Sequence, residues 1–591
     1  MRLLLVLLLS GSNLLAAVRF IERPGRELGI DEIAGQPSFV DLNQDGLLDF
    51  WAGVAYLNNG NGTFEKMPNS RWPGGECLCF GDYNNDGYPD ILTNAWRQDT
   101  TKVRIYENDG PPDFHLTEVT DQTGIGIPVF ERDLVDAVWF DYDSDSWLDC
   151  YVSSYEYPFP IGHEDYLFHS DSGWHFTDVS VQSGIASVAL CSRGVSISDF
   201  DEDADPDVFV SVYRLEPNLL WQNQGDGTFT DVAADKGVQG LYIGGYYGHN
   251  IGAQWADYNN DGHMDLMSPI THHSGYPGDS TGHLWLSNGP PDFNFTCVWP
   301  KTGMRNTEIG SAPLGGDYDN DGDVDLFWVN LYGQPQADAW LYRNNGDTTF
   351  TNVTQEANLY FPGQVRNFAI FADFNEDGFL DLFWPRTDGQ QTYWEFLENS
   401  ADNGNHWLEV DLVGTRSNRS GIGARIDAFA GNWRAVREVF HNGGNGYGSP
   451  FVARQHFGLG QHAVLDSLVI AWPSGTRDVY RNLPADRFVR STEGSLDLVS
   501  RPALRVPRSG SRLLAQLTPA GVLLTLSGVA SAPACTVVDR LGRVVAEVEQ
   551  WQRTEDGFRA LWPGRGCGAG VYFFTTDTPS GPVSAKALLV R

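Results

Sequence analysis

The 591-residue chain carries 77 Asp and Glu against 39 Lys and Arg, a formal charge of -38, and the acidic excess lies before about residue 405. A field this negative excludes nonspecific nucleic-acid binding and adsorption to an anionic membrane. With 41% apolar and 13% aromatic residues, the chain has ample material for packed cores and is not a disordered polyanion; its length calls for several domains.

The N-terminus reads as an export signal over residues 1–17. Arg2 precedes the apolar run Leu3–Leu9, and small residues follow at Ser10–Ser12 and Ala16–Ala17. No later segment offers the apolar length of a transmembrane helix. The expectation is a soluble, exported protein.

From residue 41 onward a nine-residue pattern recurs seven times: DLNQDGLLD at 41–49, DYNNDGYPD at 82–90, DYDSDSWLD at 141–149, DFDEDADPD at 199–207, DYNNDGHMD at 257–265, DYDNDGDVD at 317–325 and DFNEDGFLD at 373–381. Seven matches in near-constant register mark an internal repeat. After each loop comes a short β-branched or aromatic run, and further on a hairpin signature such as LNNGNGTF or LYRNNGDTTF. Each unit therefore supplies four short strands. The fold class expected is all-β: a seven-bladed β-propeller over residues 18–405, followed by two smaller β domains. Residues 18–30, VRFIERPGRELGI, look like the outer strand of a repeat without its hairpin partner, so they are expected to complete the seventh blade and remove its open edge. Trp407–Leu412 is the competing closing strand.

Positions 1, 5 and 9 of every loop are Asp, position 3 is Asp or Asn, and position 6 is Gly except at Ser146 and Ala204. Alternate residues of a tight turn converge their oxygens on one point. This suits a hard cation that takes six to eight oxygens at about 2.3–2.6 Å, and glycine permits the bend. The expected metal ligands are Asp41, Asn43, Asp45 and Asp49; Asp82, Asn84, Asp86 and Asp90; Asp141, Asp143, Asp145 and Asp149; Asp199, Asp201, Asp203 and Asp207; Asp257, Asn259, Asp261 and Asp265; Asp317, Asp319, Asp321 and Asp325; and Asp373, Asn375, Asp377 and Asp381. So many carboxylates repel one another unless a cation sits among them. Ca²⁺ is expected over Mg²⁺, about seven ions with a structural role. The loops and their flanking strands resemble the FG-GAP/VCBS repeats of integrin α-subunit propellers, whose calcium loops they match position by position except at Ser146 and Ala204.

In a four-stranded meander the acidic loops are first turns, so the long second turns fall on the opposite face. These are Ser153–Asp165, Ser268–His283 and Asn330–Asp338. Their aromatic and histidine residues Tyr155, Tyr157, Phe159, His163, His272, His273, Tyr276 and Tyr332 are the candidate contacts for an extracellular protein or glycan partner. No nucleophile elbow, His-Glu-x-x-His pair, phosphate loop or dinucleotide fingerprint occurs, so no catalytic residue is assigned. His272, His273, Tyr276 and His283 form the best catalytic candidate, and solvated loop residues are the simpler reading. Paired carboxylates for polysaccharide cleavage stay open as the alternative to a binding protein.

From His406 the acidic loops stop and charge balances. GIGARI at 421–426, GGNGYGS at 443–449, HFGLG at 456–460 and DSLVIAWPSG at 466–475 resemble the ASPIC/UnbV domain, expected over 406–500. A Pro/Arg/Ser-rich linker over 501–512 leads to alternating strands at 513–591, with DRLGRVV and GVYFF. These resemble the C-terminal sorting domain of type IX secretion substrates, a small Ig-like β-sandwich. The resemblance implies export through the periplasm of a Gram-negative bacterium and release to, or attachment at, its surface. Of seven cysteines, Cys535 and Cys567 could pair; Cys77, Cys79, Cys150, Cys191 and Cys297 fall in predicted strands and read as buried small hydrophobes.

Overall fold

The computed structural model describes residues 18–589 apart from 34, 36, 68–75, 95–102, 111–113, 126–133, 157–158, 272–281, 305–309, 331–338, 360–368, 388–391, 402, 441–452, 497, 503–511, 519–520, 528–533, 540–542, 549, 555–556, 564–566, 568–569 and 579–580. The expected export signal thus lies outside the described residues. No described helix is long and apolar enough to cross a membrane.

The repeats fold into seven four-stranded antiparallel sheets. The first is built from Ser38–Val40, Asp49–Trp51, Ala55–Asn58 and Phe64–Lys66, and the acidic loop joins its first two strands. The same order recurs in the sheets that follow. The seventh uses Ile370–Ala372, Asp381–Thr387 and Thr392–Asn399, and its fourth strand is Phe20–Pro24 from the N-terminus, in register from Phe20 opposite Asn399 to Pro24 opposite Glu395. The alternative closing strand, as part of His406–Val413, instead pairs in the next domain.

Neighbouring sheets are glued by aromatic side chains that face one another across the gap. Val40 and Trp51 of the first sheet share a cluster with Phe80 and Ile91 of the second. Phe209 of the fourth meets Trp255 and Trp285 of the fifth. The last sheet returns to the first: Phe50 lies 5.2 Å from Phe383 and 5.1 Å from Phe396, ring centre to ring centre. Rings of this size bury 150–250 Å² each and dominate such contacts.

A second stitch is polar. Asn58, Asn108, Asn223, Asn344 and Asn399 end the third strands of their sheets. Each donates from Nδ2 to the position 8 carbonyl of its own loop and to the position 2 carbonyl of the loop in the preceding sheet. These amides are buried, where a satisfied hydrogen bond is worth most and a lost one costs most. In the third and fifth sheets Ser170 and Ser287 hold this place.

Residues 406–502 form two further sheets. One orders Gln455–Gly460, His406–Val413, Arg487–Thr492 and Val499–Pro502, with 406–413 and 487–492 parallel; the other orders Trp433–Glu438, Arg425–Ala430, Val464–Ala471 and Arg477–Pro484. Residues 512–589 add two more four-stranded sheets around Val522, Leu524, Val537, Trp562 and Phe574. Cys535 and Cys567, which spacing suggested as a pair, are separate thiols, Cys535 buried in that core and Cys567 half-buried beside it. Cys79, Cys150 and Cys191 are buried as expected, and Cys297 is half-buried; the Cys77 side chain lies outside the described residues.

Candidate metal centres

All seven acidic loops adopt one hydrogen-bonded shape. The position 1 carboxylate accepts the position 5 N–H on one oxygen and the position 6 N–H on the other; for Asp41 the donors are Asp45 at 2.9 Å and Gly46 at 2.8 Å. The same pair of bonds recurs at Asp82, Asp141, Asp199, Asp257, Asp317 and Asp373. Position 5 in turn accepts from the N–H of position 7. Where position 3 is Asn, its side-chain oxygen accepts from position 5.

Position 6 sits in the left-handed region in every loop, from φ 77° at Ala204 and 80° at Ser146 to 101° at Gly87 and Gly322. The two departures from glycine therefore keep the loop shape and carry its strain, about 1–2 kcal/mol for a side chain in this conformation. Position 4 is left-handed as well, from Gln44 to Glu376.

Position 9 is a buried staple. Its Oδ1 accepts the N–H of the last residue in the third strand of the same sheet, as for Asn58 on Asp49 at 2.7 Å. In six loops its Oδ2 accepts the N–H of position 2. Each carboxylate oxygen retains a further lone pair for a cation. In the seventh loop the N–H of Phe374 turns to Ala372, and the buried Asp381 Oδ2 has no hydrogen-bond partner. Asp319 Oδ1 and Asp201 Oδ1 are likewise buried and unsatisfied.

These carboxyls resist ionising together. Burial, reinforced by Asp86, pushes Asp82 up to about 7. Burial and then Asp149 raise Asp141 to about 8. Burial and then Glu438 raise Asp199 to about 8. Asp90, Asp207, Asp265 and Asp325 are held well above the ordinary carboxylate range, chiefly by burial. Such groups are costly as bare anions and suited to a cation. In the three loops with Asp at position 3, the acids converge most closely: one ligand atom each from Asp141, Asp143 and Asp149, from Asp199, Asp201 and Asp203, and from Asp317, Asp319 and Asp325 lies within 4.8 Å of the others. Residues, orphaned oxygens and shifted acidities all fit a cation; the loops without glycine assemble like the rest.

One further candidate ligand lies outside the loop pattern. His169, in the third strand of the third sheet, places Nδ1 3.3 Å from Asp149 and 3.4 Å from Asp143. Its ligand atom falls within the same 4.8 Å limit of Asp143 and Asp145. Asp149 first, and then Asp143, hold its proton up to about 9.

The 406–502 domain sits on the acidic loops and meets each of them. Arg490 donates to Asp41 at 2.9 Å, and the Arg419 N–H to Asn85 at 2.7 Å. Ser146 Oγ donates to the Arg416 carbonyl, Arg425 lies 3.4 Å from Glu202 and bonds the Gly262 carbonyl at 2.6 Å, and His456 Nε2 is 2.6 Å from Asn320 Oδ1. Arg454 reaches Glu376 at 2.9 Å and the Gly46 carbonyl at 2.7 Å, and Arg501 pairs with the same two groups. The Arg454 and Glu376 side chains are 1% and 0% exposed, so this is a buried ion pair with its hydrogen bonds made. Glycine at position 6 also gives clearance, since a Cβ on Gly378 would stand 1.9 Å from Trp407.

The second turns lie at the opposite ends of these strands. Tyr155, a candidate contact, is 8% exposed, edge-on to Tyr213 and under the Arg193 guanidinium at 4.1 Å; it is a core residue, because its ring fills the gap between sheets. Phe159 is 72% exposed, with Arg214 over its ring at 4.7 Å, and Arg214 is held by Glu156. His163 is half-buried, its backbone bridged to Leu190. His283 is fully buried, stacked on Trp285 at 4.3 Å, with Nε2 accepting from the Leu241 N–H; burial lowers it to about 3, so it is a neutral core imidazole. Tyr157, His272, His273, Tyr276 and Tyr332 lie outside the described residues.

Comparison with known proteins agrees with this architecture. Residues 41–93, 82–152, 199–268 and 317–384 match FG-GAP-like repeats, and residues 414–496 match ASPIC and UnbV. Human cartilage acidic protein 1 is 27% identical over 311 residues, 52% of this chain and 44% of the human one. The Mus musculus protein of that name is 26% identical over 303 residues, 50% of this chain and 44% of its own. The chain thus spans under half the length of these relatives. Among solved structures, an Agrocybe aegerita lectin specific for non-reducing terminal N-acetylglucosamine aligns with 63% of this chain and 91% of its own, at 16% identity and a TM-score of 0.37. An exotype rhamnogalacturonan lyase aligns with 75% and 82%, at 12% identity and a TM-score of 0.33.

Proposed function

We propose that this chain, built from FG-GAP-like repeats and an ASPIC and UnbV domain, is an exported calcium-binding protein that recognises an extracellular protein or glycan. The seven sheets close into a seven-bladed propeller, and about seven Ca²⁺ ions sit in the loops as structural ions held by positions 1, 3, 5 and 9. Calcium supplies positive charge and oxygen coordination; the chain's own residues shape the loop before it binds. The C-terminal unit from residue 513 serves as a type IX sorting domain, and residues 1–17 as the leader.

One observation carries the reading. The acidic face is occupied by the chain's own 406–502 domain, through contacts to every loop. We therefore place recognition on the opposite face, where Phe159 is exposed. Long loops on a rigid scaffold are the usual carriers of binding. We read the chain as a binder and not as an enzyme.

The test has two parts. Elemental analysis of the purified chain should find about seven calcium ions, and chelation should lower the melting temperature sharply. Binding to protein and glycan arrays should fall in Phe159→Ser with melting unchanged. Cleavage products from a polysaccharide panel would replace the binding reading with the enzymatic one.

A further inference from the structure

We propose that the third acidic loop, with His169, is a mixed imidazole–carboxylate centre for a borderline divalent metal of the Zn²⁺ or Co²⁺ class. This deepens the proposal that the acidic loops hold cations, and rests on it.

The seven sheets serve as one another's controls. The place that His169 occupies, next to last in the third strand, holds Leu57 in the first sheet, Glu107 in the second, Gln222 in the fourth, Leu286 in the fifth, Arg343 in the sixth and Glu398 in the seventh. In the described sheets, only the third brings a nitrogen ligand to the loop at this place. The His169 Nδ1 atom is itself shut off from solvent and makes no hydrogen bond of good geometry. It points between Asp149 at 3.3 Å and Asp143 at 3.4 Å, and Asp149 is fully buried. A tetrahedral ion with bonds of about 2.0–2.2 Å sets neighbouring donors about 3.3–3.6 Å apart, which these separations match. On the outer side of the ring, Asp171 lies 3.9 Å from Nε2, where a carboxylate orients a ligating imidazole.

Ligand type does the selecting. Ca²⁺ takes oxygen, whereas imidazole favours zinc and its neighbours. The imidazole binds through a neutral Nδ1, so metal entry displaces its proton to solvent.

The full chain, saturated with Ca²⁺, is titrated with Co²⁺ and followed by visible absorption, with Zn²⁺ as competitor. About one Co²⁺ per chain should persist in excess calcium, give a ligand-field band, and be displaced by Zn²⁺. His169→Leu should lose that equivalent and its band while keeping its calcium content and circular dichroism. His169→Gln, which copies the fourth sheet, is the second variant should the leucine fail to fold. Equal cobalt uptake by wild type and both variants, or none by the wild type, would overturn the proposal and leave His169 as a fixed counter-charge. A chain that binds cobalt through His169 yet carries no calcium would support this centre and sink the calcium reading instead.

Discussion

Asn58, in the first sheet, donates its side-chain N–H to the carbonyl of Phe374 in the seventh acidic loop at 3.0 Å, across 316 residues of sequence. The same amide holds the Leu48 carbonyl of its own loop at 2.9 Å. First and last units are therefore joined by the same contact that joins neighbours. Replacing Asn58 by Ala strands two buried carbonyls, and we expect a loss of about 1–3 kcal/mol, read from denaturant unfolding. Asn399→Ala should cost a similar amount.

Ser146 and Ala204 hold left-handed backbone at φ 80° and 77° without being glycine. Ser146→Gly and Ala204→Gly relieve that strain, against a small entropic penalty in the unfolded chain. Ala204→Gly should stabilise the calcium-loaded protein by about 0.5–1 kcal/mol, measured by the shift in urea midpoint; Ser146→Gly also loses the hydrogen bond from Ser146 Oγ to the Arg416 carbonyl and should be close to neutral. A destabilised Ala204→Gly would show that the loop is not strained there.

The raised acidities set a pH signature for the metal-stripped protein. Asp82, Asp141 and Asp199, lifted to about 7, 8 and 8, retain protons in the folded chain that the unfolded chain has already released. Their contribution is fully present below about pH 4 and is lost as pH rises through the folded values. The melting temperature of the chelated protein should therefore fall between about pH 5 and pH 8. With saturating calcium that fall should vanish.

Arg454 pairs with Glu376 where neither side chain meets solvent. Arg454→Met leaves Glu376 with only Arg501 beside it and also takes a partner from Glu409 and Asp411, and should cost about 3–5 kcal/mol. The double variant Arg454→Met with Glu376→Gln should recover only the share owed to Glu376, since Glu409 and Asp411 still lack Arg454. Limited proteolysis between the repeats and residue 406 reports whether the domain has lifted.

The repeated parts of this molecule were legible because repetition turns a weak signal into a strong one. Asp and Gly at fixed places located the loops, and the truncated repeat at 18–30 foretold the strand Phe20–Pro24. The hairpin asparagines were visible as turn residues, but their second partner lies in the preceding unit, and no local pattern points there. The docking of 406–502 was illegible for the same reason: Arg501, read as linker by composition, lies in Val499–Pro502 and reaches Gly46 from 455 residues away. His169 stood one strand away from the loop it serves. Tyr155 and His283 misled in the opposite direction, since residue type suggests a surface role and burial gives them a core one.

Among the described residues, the strand Phe20–Pro24 pairs with Thr392–Asn399 and with no other strand. During vectorial synthesis it emerges long before Thr392–Asn399 and must wait for nearly the whole repeat array before its partner strand exists. Completion of the seventh sheet is thus a late event, governed by a pairing between the two ends of the repeat array. Without Phe20–Pro24 the Thr392–Asn399 edge of the seventh sheet is left unmatched, which exposes chains lacking Phe20–Pro24 to edge-to-edge self-association.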